Sequence, residues 1–408
     1  MIKESLRLPS GSLLRNRIVK SAMSEALGDE FNNTTEGLIR LFERWSKGGA
    51  GLVITGNTSI DRWHLEHSGN IVLDEESDMV RVKQLASAAK SGGALALVQL
   101  GHSGRQTPEA INSHPLSMSD LRLDLPGYGE PKPATVADLE KVICQFTKSA
   151  MLAKEAGFDG VQIHAAHGYL LSSSLSSKIN TRNDNWGGTL ENRARLTLSV
   201  VRAVRSEVGP QFIVATKLNS SDFQKGGFSH KESIKVAKML QDEGVDFIEI
   251  SGGNFETPVA YKHSSKKEST ASREAYFLDY ARDIKAALHI PIIVTGGFRS
   301  RDIMNNALAD GSTDLIGVGR PFIVDPEWPT KLLNGSIDMA PAVERDFPSA
   351  DDLPRGAALN WFCHQLALHG TMGDGDSSVS IIKGHELYLE RIQLATDRLL
   401  KVRGLQSL

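Results

Sequence analysis

Short apolar runs alternate with amphipathic helical stretches along the first three-quarters of the chain, and this alternation restricts the fold more than any other feature. Strands are expected over residues 16–24, 51–56, 94–100, 161–163, 212–217, 246–251, 291–297 and 315–320. Helices are expected between them, over about 35–47, 78–90, 135–157, 190–208, 230–242, 273–288 and 300–308. Thr135 and Asp138 form a capping-box pattern, and Leu139, Val142, Ile143 and Phe146 carry the helical period that follows. Each strand–helix unit buries one sheet face under its helix, so repeated units build a parallel sheet. Eight strands, counted from Ile18, close a (β/α)8 barrel. A doubly wound open sheet is the alternative, but no GxGxxG follows the first strand.

The pattern changes beyond Trp328. Residues 346–355 are charged and contain proline, which reads as a connection. A helix over 356–369 with Leu359, Phe362 and Leu366 on one face, a Gly-Asp turn, and an amphipathic helix over 386–402 follow. The expected division is a barrel over 1–335 and a helical extension over 336–408. Core packing is the reading for the helix that bears Trp361, Phe362 and His364, with contact to a neighbouring subunit of a homo-oligomer as the alternative. The connection over 101–134 carries Pro108, Pro115, Pro126, Pro131 and Pro133, and a loop this long is expected to be either a functional lid or disordered.

Bulk properties exclude several classes of function. A net charge of −3 over 408 residues gives no electrostatic reason to expect nucleic acid or an anionic membrane as partner. No apolar run is long enough to span a bilayer, and the amino terminus has no apolar signal core. The two cysteines, Cys144 and Cys363, form no CxxC pair, which argues against a disulfide framework, a zinc site or an iron–sulfur cluster. A cytosolic enzyme acting on a small molecule is the expectation.

The chemistry concentrates at the end of the fourth strand, in His164-Ala165-Ala166-His167-Gly168-Tyr169. Residues at the carboxyl end of a barrel strand face the shared active-site mouth. As zinc ligands the two histidines would need a third His or carboxylate aimed at the same point, and their neighbours are alanine, glycine and apolar residues. Each alone could be a core histidine. Together they read as N–H donors to a carbonyl or nitro oxygen that gains charge during reaction. Tyr169 could simply pack, yet a phenol that titrates near pH 10 also stays protonated and can act as a general acid. Farther along, Thr295-Gly296-Gly297 and Val318-Gly319-Arg320-Pro321 end the last two strands. Loops at these places in a barrel often bind phosphate through bare N–H groups, and Arg320 can add a bidentate fork; the alternative, that the glycines only permit tight turns, is outweighed by both loops occurring together with Arg320.

The run His-Ala-Ala-His-Gly-Tyr-Leu-Leu, followed by Arg182-Asn183-Asp184 and Gly187-Gly188-Thr189 with Glu191-Asn192-Arg193, resembles the Old Yellow Enzyme family of FMN-dependent ene-reductases. The resemblance extends over roughly residues 5 to 333. It implies FMN as cofactor, NADPH or NADH as reductant and an activated alkene as substrate. In its terms Tyr169 is the proton donor, His164 and His167 hold the activating oxygen, and Gly296, Gly297, Gly319 and Arg320 grip the FMN phosphate. Ala22, Met23 and Ser24 line the flavin, Ser24 standing where the family more often has threonine or cysteine. Gly56 and Gln99 match the ends of the second and third strands. Lys217, where the family more often has arginine, places a cation near the reduced ring. The larger dienoyl-CoA reductases resemble this barrel too, but add an iron–sulfur cluster and a second dinucleotide domain that two isolated cysteines and about 70 further residues cannot supply. A flavin or phosphate-ligand binding barrel without turnover is the alternative of a different class, against which an intact Tyr169 argues.

Overall fold

The computed structural model describes residues 1–253, 255–256 and 276–405. Eight parallel strands close a barrel in sequence order: β1 (Ile18–Lys20), β2 (Leu52–Ser59), β3 (Leu95–Gly101), β4 (Gly160–Ala165), β5 (Ile213–Asn219), β6 (Phe247–Ser251), β7 (Ile292–Thr295) and β8 (Leu315–Val318). Ile316 of β8 pairs with Ile18 of β1 and seals the ring. The helices on its outside are α1 (Glu36–Lys47), α2 (Met79–Lys90), α3 (Val136–Ala156), α4 (Leu190–Val208), α5 (His230–Asp242), α6 (Tyr276–Ala286) and α7 (Arg301–Ala309). The expected start of the sixth helix at Arg273 lies outside the described residues.

Local chemistry sets the helix ends. Thr35, Asp78, Thr135, Thr189 and Ser229 each sit at an N-cap and accept a backbone N–H of the first turn. Thr135 with Asp138 and Ser229 with Glu232 complete reciprocal capping boxes.

Strand alternation sorts the barrel interior from its outer shell. Val19, Leu52, Ile54, Leu97, Ile213, Ala215, Phe247, Ile293 and Leu315 form one buried apolar cluster inside the ring. Leu8 and Leu14, flanking and ending an N-terminal hairpin (Leu6–Arg7 with Leu13–Leu14), join this cluster and stop the bottom of the barrel. Each such side chain contributes about 1.5–3 kcal/mol by leaving water. Two residues farther along the same strands, the inward positions turn polar: Ser21, Gln99, Gln162, Lys217, Glu249 and Thr295. An apolar plug with a polar top is the floor of a site.

Several expectations are corrected or narrowed. The first strand ends at Lys20, so Ala22, Met23 and Ser24 belong to the segment beyond it. The proline-rich connection is ordered, through a single turn at Gly104–Gln106 and a pairing of Leu116–Ser117 with Lys132–Pro133. Leu359 is 40% exposed, while Trp361, Phe362, Gln365, Leu366 and His369 are buried, so the inward face of that helix is rotated from the expected one.

Beyond α8 (Trp328–Asn334) come α9 (Ala357–Met372) and α10 (Ile381–Val402). The expected start of the last helix at 386 moves back to Ile381 because Ser380 caps it, accepting the Lys383 N–H. Helix α9 lies on α1: Arg40 donates to the Gly370 carbonyl, and Arg44 pairs with Asp374 at 2.9 Å. Among the described residues no helix is long and apolar enough to cross a membrane.

Candidate active site

Strand β4 delivers His164 to the mouth of the barrel, 3% exposed. Its Nδ1 accepts the Ala166 N–H at 3.3 Å, which puts the proton of the neutral ring on Nε2. Burial, then the nearby His167 and Lys217, hold its pKa well below the ordinary histidine value. His167 sits in a left-handed turn with φ 63°. Its N–H donates to Asn219 Oδ1, its carbonyl accepts from Gln106 Nε2, and its Nε2 lies 2.7 Å from Ser251 Oγ. Burial and Lys217 push its pKa down to about 3, so both rings are neutral near pH 7. Tyr169 is 3% exposed, with its ring edge-on to His164 at 4.9 Å and to Phe255 at 5.7 Å.

Beneath these rings the polar layer forms one connected network. Gln99 Nε2 donates to Gln162 Oε1, and Gln162 Nε2 donates to Glu249 Oε2, both at 2.7 Å. Thr295 Oγ1 donates to Glu249 Oε1 at 2.7 Å and lies 2.8 Å from Ser21 Oγ. Lys217 Nζ stands 3.1 Å from Glu249 Oε1. Gly317 makes this possible, since a Cβ there would fall 2.0 Å from Thr295 Oγ1. Burial pushes the Glu249 carboxyl up, but Lys217 and the Thr295 and Gln162 donors outweigh it and hold the group below its usual range.

The strand ends of β7, β8 and β1 meet on the other side of the mouth. Gly296 and Gly297 both have positive φ, 117° and 80°, and the Gly296 N–H donates to the Gly317 carbonyl at 3.4 Å. Met23 Sδ lies 3.3 Å from where a Cβ of Gly319 would stand, so the segment after β1 touches the end of β8. Arg320 is largely buried and donates no side-chain hydrogen bond among the described residues; Phe362 is 6.0 Å away across its ring face. The nearby Glu344 is already paired with Arg299. Burial lowers the Arg320 pKa, an expense that an anionic ligand would offset. Ser24 Oγ donates to Glu66 Oε2 at 2.6 Å, and the Gly56 N–H donates to the Glu25 carboxylate at a shift in strand register.

Every residue expected at the site therefore lies at or near the carboxyl end of the barrel. Glu249, Gln162, Thr295, Ser21, Asn219 and Ser251 were missed. A signal for Glu249 was present: a carboxylate in phase with Phe247 and Ser251 on an otherwise apolar strand. Among the described residues one His/Asp group, Asp61, His64 and His102, has metal-like spacing. Most of its donors are occupied: His64 bridges Asp61 Oδ1 and the Leu116 N–H, Gln145 donates to Asp61 Oδ2, and His102 Nδ1 accepts the Gly104 N–H.

Residues 8–338 match the model of the NADH:flavin oxidoreductase / NADH oxidase family. The chain belongs to that family, the Old Yellow Enzyme family. It is 36% identical over 362 residues to the NADH-dependent flavin oxidoreductase iccE of Talaromyces variabilis, covering 83% of this chain and 87% of that protein. It is 35% identical over 368 residues to the NADH-dependent flavin oxidoreductase iliE of Neonectria sp. (strain DH2), covering 83% of this chain and 48% of that one. The chain thus spans about half the length of the latter relative. In fold it matches the old yellow enzyme homologue from Zymomonas mobilis with a TM-score of 0.70, at 23% identity, over 86% of this chain and 99% of that one. Family membership brings FMN as the flavin and NAD(P)H as the reductant. The paired glycines and the guanidinium of Arg320, which has no side-chain hydrogen bond or ion pair among the described residues, fit a terminal phosphate, and the polar floor fits the ring.

Proposed function

We propose that this chain is an ene-reductase acting on α,β-unsaturated carbonyl or nitro compounds. Bound FMN, reduced by NADH or NADPH, would supply a hydride to the β-carbon of such an alkene. The protein's own residues do the rest. His164 presents its Nε2 proton to the carbonyl or nitro oxygen and, being neutral, donates without adding a charge. His167 stands beside it, ring centroids 5.1 Å apart, its orientation fixed by Ser251 and Asn219. Tyr169 gives its phenolic proton to the α-carbon. Lys217, anchored by Glu249, would supply a positive charge to stabilise the flavin when it is reduced. Gly296, Gly297, Gly319 and Arg320 would hold the phosphate, while Ala22, Met23, Ser24, Gly56 and Gln99 would line the ring.

The observation that carries this reading is the edge-on placement of Tyr169 against a His164 whose ring proton is fixed on Nε2. The test is chromatography of the ligand released on denaturation, with an anaerobic NADH or NADPH assay in the presence of an enone or a nitroalkene. FMN and a saturated product are expected. Recovery of FAD, or nicotinamide oxidation that consumes no alkene, would overturn the reading.

A further inference from the structure

The match to the family model ends at residue 338, yet the two helices beyond it touch the segments that follow β8 and β1. Phe362 of α9 lies against Arg320, and His369 of the same helix bonds the Ile323 carbonyl at 2.6 Å just past it. The contact with the most consequence comes from α10. Arg391 donates through Nη1 to the Ala26 carbonyl and through Nη2 to the Cys363 carbonyl at 3.3 Å. It forms no ion pair among the described residues, and its buried Nε has no partner. A guanidinium so placed, lying over the Tyr388 ring at 5.4 Å, joins two backbones and pairs with no carboxylate among the described residues.

Ala26 is the joint that this contact holds. It has φ 55°, a left-handed conformation that side chains other than glycine rarely adopt. A Cβ on Gly69 would lie 2.8 Å from the Ala26 carbonyl oxygen, so the turn is packed tightly against the loop after β2. Two residues earlier lies Ser24, hydrogen-bonded to Glu66 of that same loop. The segment 22–26 is therefore pinned at one end by β1 and at the other by Arg391.

We propose that Arg391 is a positioning residue for the flavin site, holding the left-handed turn at Ala26 and through it Ala22, Met23 and Ser24. This rests on the reading of those three residues as the lining of the FMN ring. Helix α10 then belongs to the cofactor site, although it lies outside the segment shared with the family.

The test measures FMN binding to apoprotein by quenching of flavin fluorescence, alongside the thermal midpoint of the apoprotein. Arg391→Ala should raise the FMN dissociation constant about tenfold, the loss of one charge-assisted hydrogen bond. Ala26→Gly, which adopts the left-handed turn without strain, should restore most of that affinity in the Arg391→Ala background. Arg403→Ala, which cuts a separate tether of α10 to Asn32 and Arg62, should lower the midpoint but leave FMN binding as in wild type. If Arg391→Ala does not fold, Arg391→Lys replaces it, with a smaller loss of FMN affinity expected and rescue by Ala26→Gly again required. Wild-type FMN affinity in the Arg391 variant, or a loss that Ala26→Gly fails to restore, would overturn the proposal. Failure of the wild-type protein to bind FMN would instead overturn the functional reading on which it rests, and the proposal with it.

Discussion

Two lysine–glutamate pairs are buried in this barrel, and their carboxylates end on opposite sides of the ordinary value although burial pushes both upward. Lys20 is fully inaccessible, 3.2 Å from Glu25 and above the rings of Phe42 and Trp45 on α1. Lys217 and Glu249 face inward at the mouth. Burial lowers the Lys20 pKa and raises that of Glu25, and their mutual attraction does not offset it. Glu249 is just as deeply placed, yet its carboxyl is held down. The donors explain the difference. Glu25 receives Lys20 and the Gly56 N–H, whereas Glu249 receives Lys217, Thr295 and Gln162 from three different strands. A buried carboxylate stays ionised when enough donors converge on it. The outer pair thus serves to pack a helix, and the inner pair keeps a charge at the barrel mouth, where the proposed function places the flavin ring.

Replacing each glutamate by glutamine tests this contrast most strongly. Glu249→Gln leaves Lys217 without its counter-charge inside the barrel, a change expected to cost about 3–5 kcal/mol. Glu25→Gln should cost less, about 1–3 kcal/mol, because burial already drives Glu25 toward the uncharged form that glutamine imitates. Urea unfolding at pH 7 measures both, and the reverse order would remove the contrast.

A smaller effect separates the lysines. In the FMN-loaded protein Lys217→Met should lower the flavin midpoint potential by on the order of 30 mV, the two-electron equivalent of about 1.4 kcal/mol. Lys20→Met, which puts an apolar chain over Phe42 and Trp45, should move it by much less. Equal shifts in spectroelectrochemical titration would mean that both lysines act on the ring only from a distance.

A further effect is in pH. His164 and His167 titrate far lower in the folded protein than in an unfolded chain, where histidine titrates near 6.5. Between those values the unfolded state binds more protons, so their contribution is complete above about pH 6.5 and is lost as pH falls toward 3. His167→Asn should flatten that part of the stability profile, as followed by urea unfolding across the acid range. An unchanged slope would mean that His167 is not held neutral.

The barrel was legible because its signals are local. Strand and helix alternation, the Thr135 capping box and the exact span of α4 and α5 follow from residues near in sequence. The histidine and tyrosine cluster was legible for the same reason, since one strand end carries all three. The floor of the site was not. Glu249 acquires its meaning only from Lys217, Gln162 and Thr295, which lie on other strands and reach it through barrel closure. The rotation of α9 was hidden likewise: its Trp361 and Phe362 pack together with Phe347, while Leu359 on the expected face is left in solvent. His167 was read as a donor to substrate, and the Ser251 hydroxyl that meets its Nε2 comes from two strands away.

The central claim, that Tyr169 delivers a proton to an alkene beside a bound flavin, is tested most directly by stopped-flow spectra of the flavin in Tyr169→Phe. Reduction by a nicotinamide needs no proton from residue 169 and should proceed near the wild-type rate. Reoxidation by an enone needs one and should slow by roughly 10²–10⁴-fold, the range for a lost general acid. Equal slowing of both halves, or of neither, would contradict the account and leave Tyr169 a packing residue.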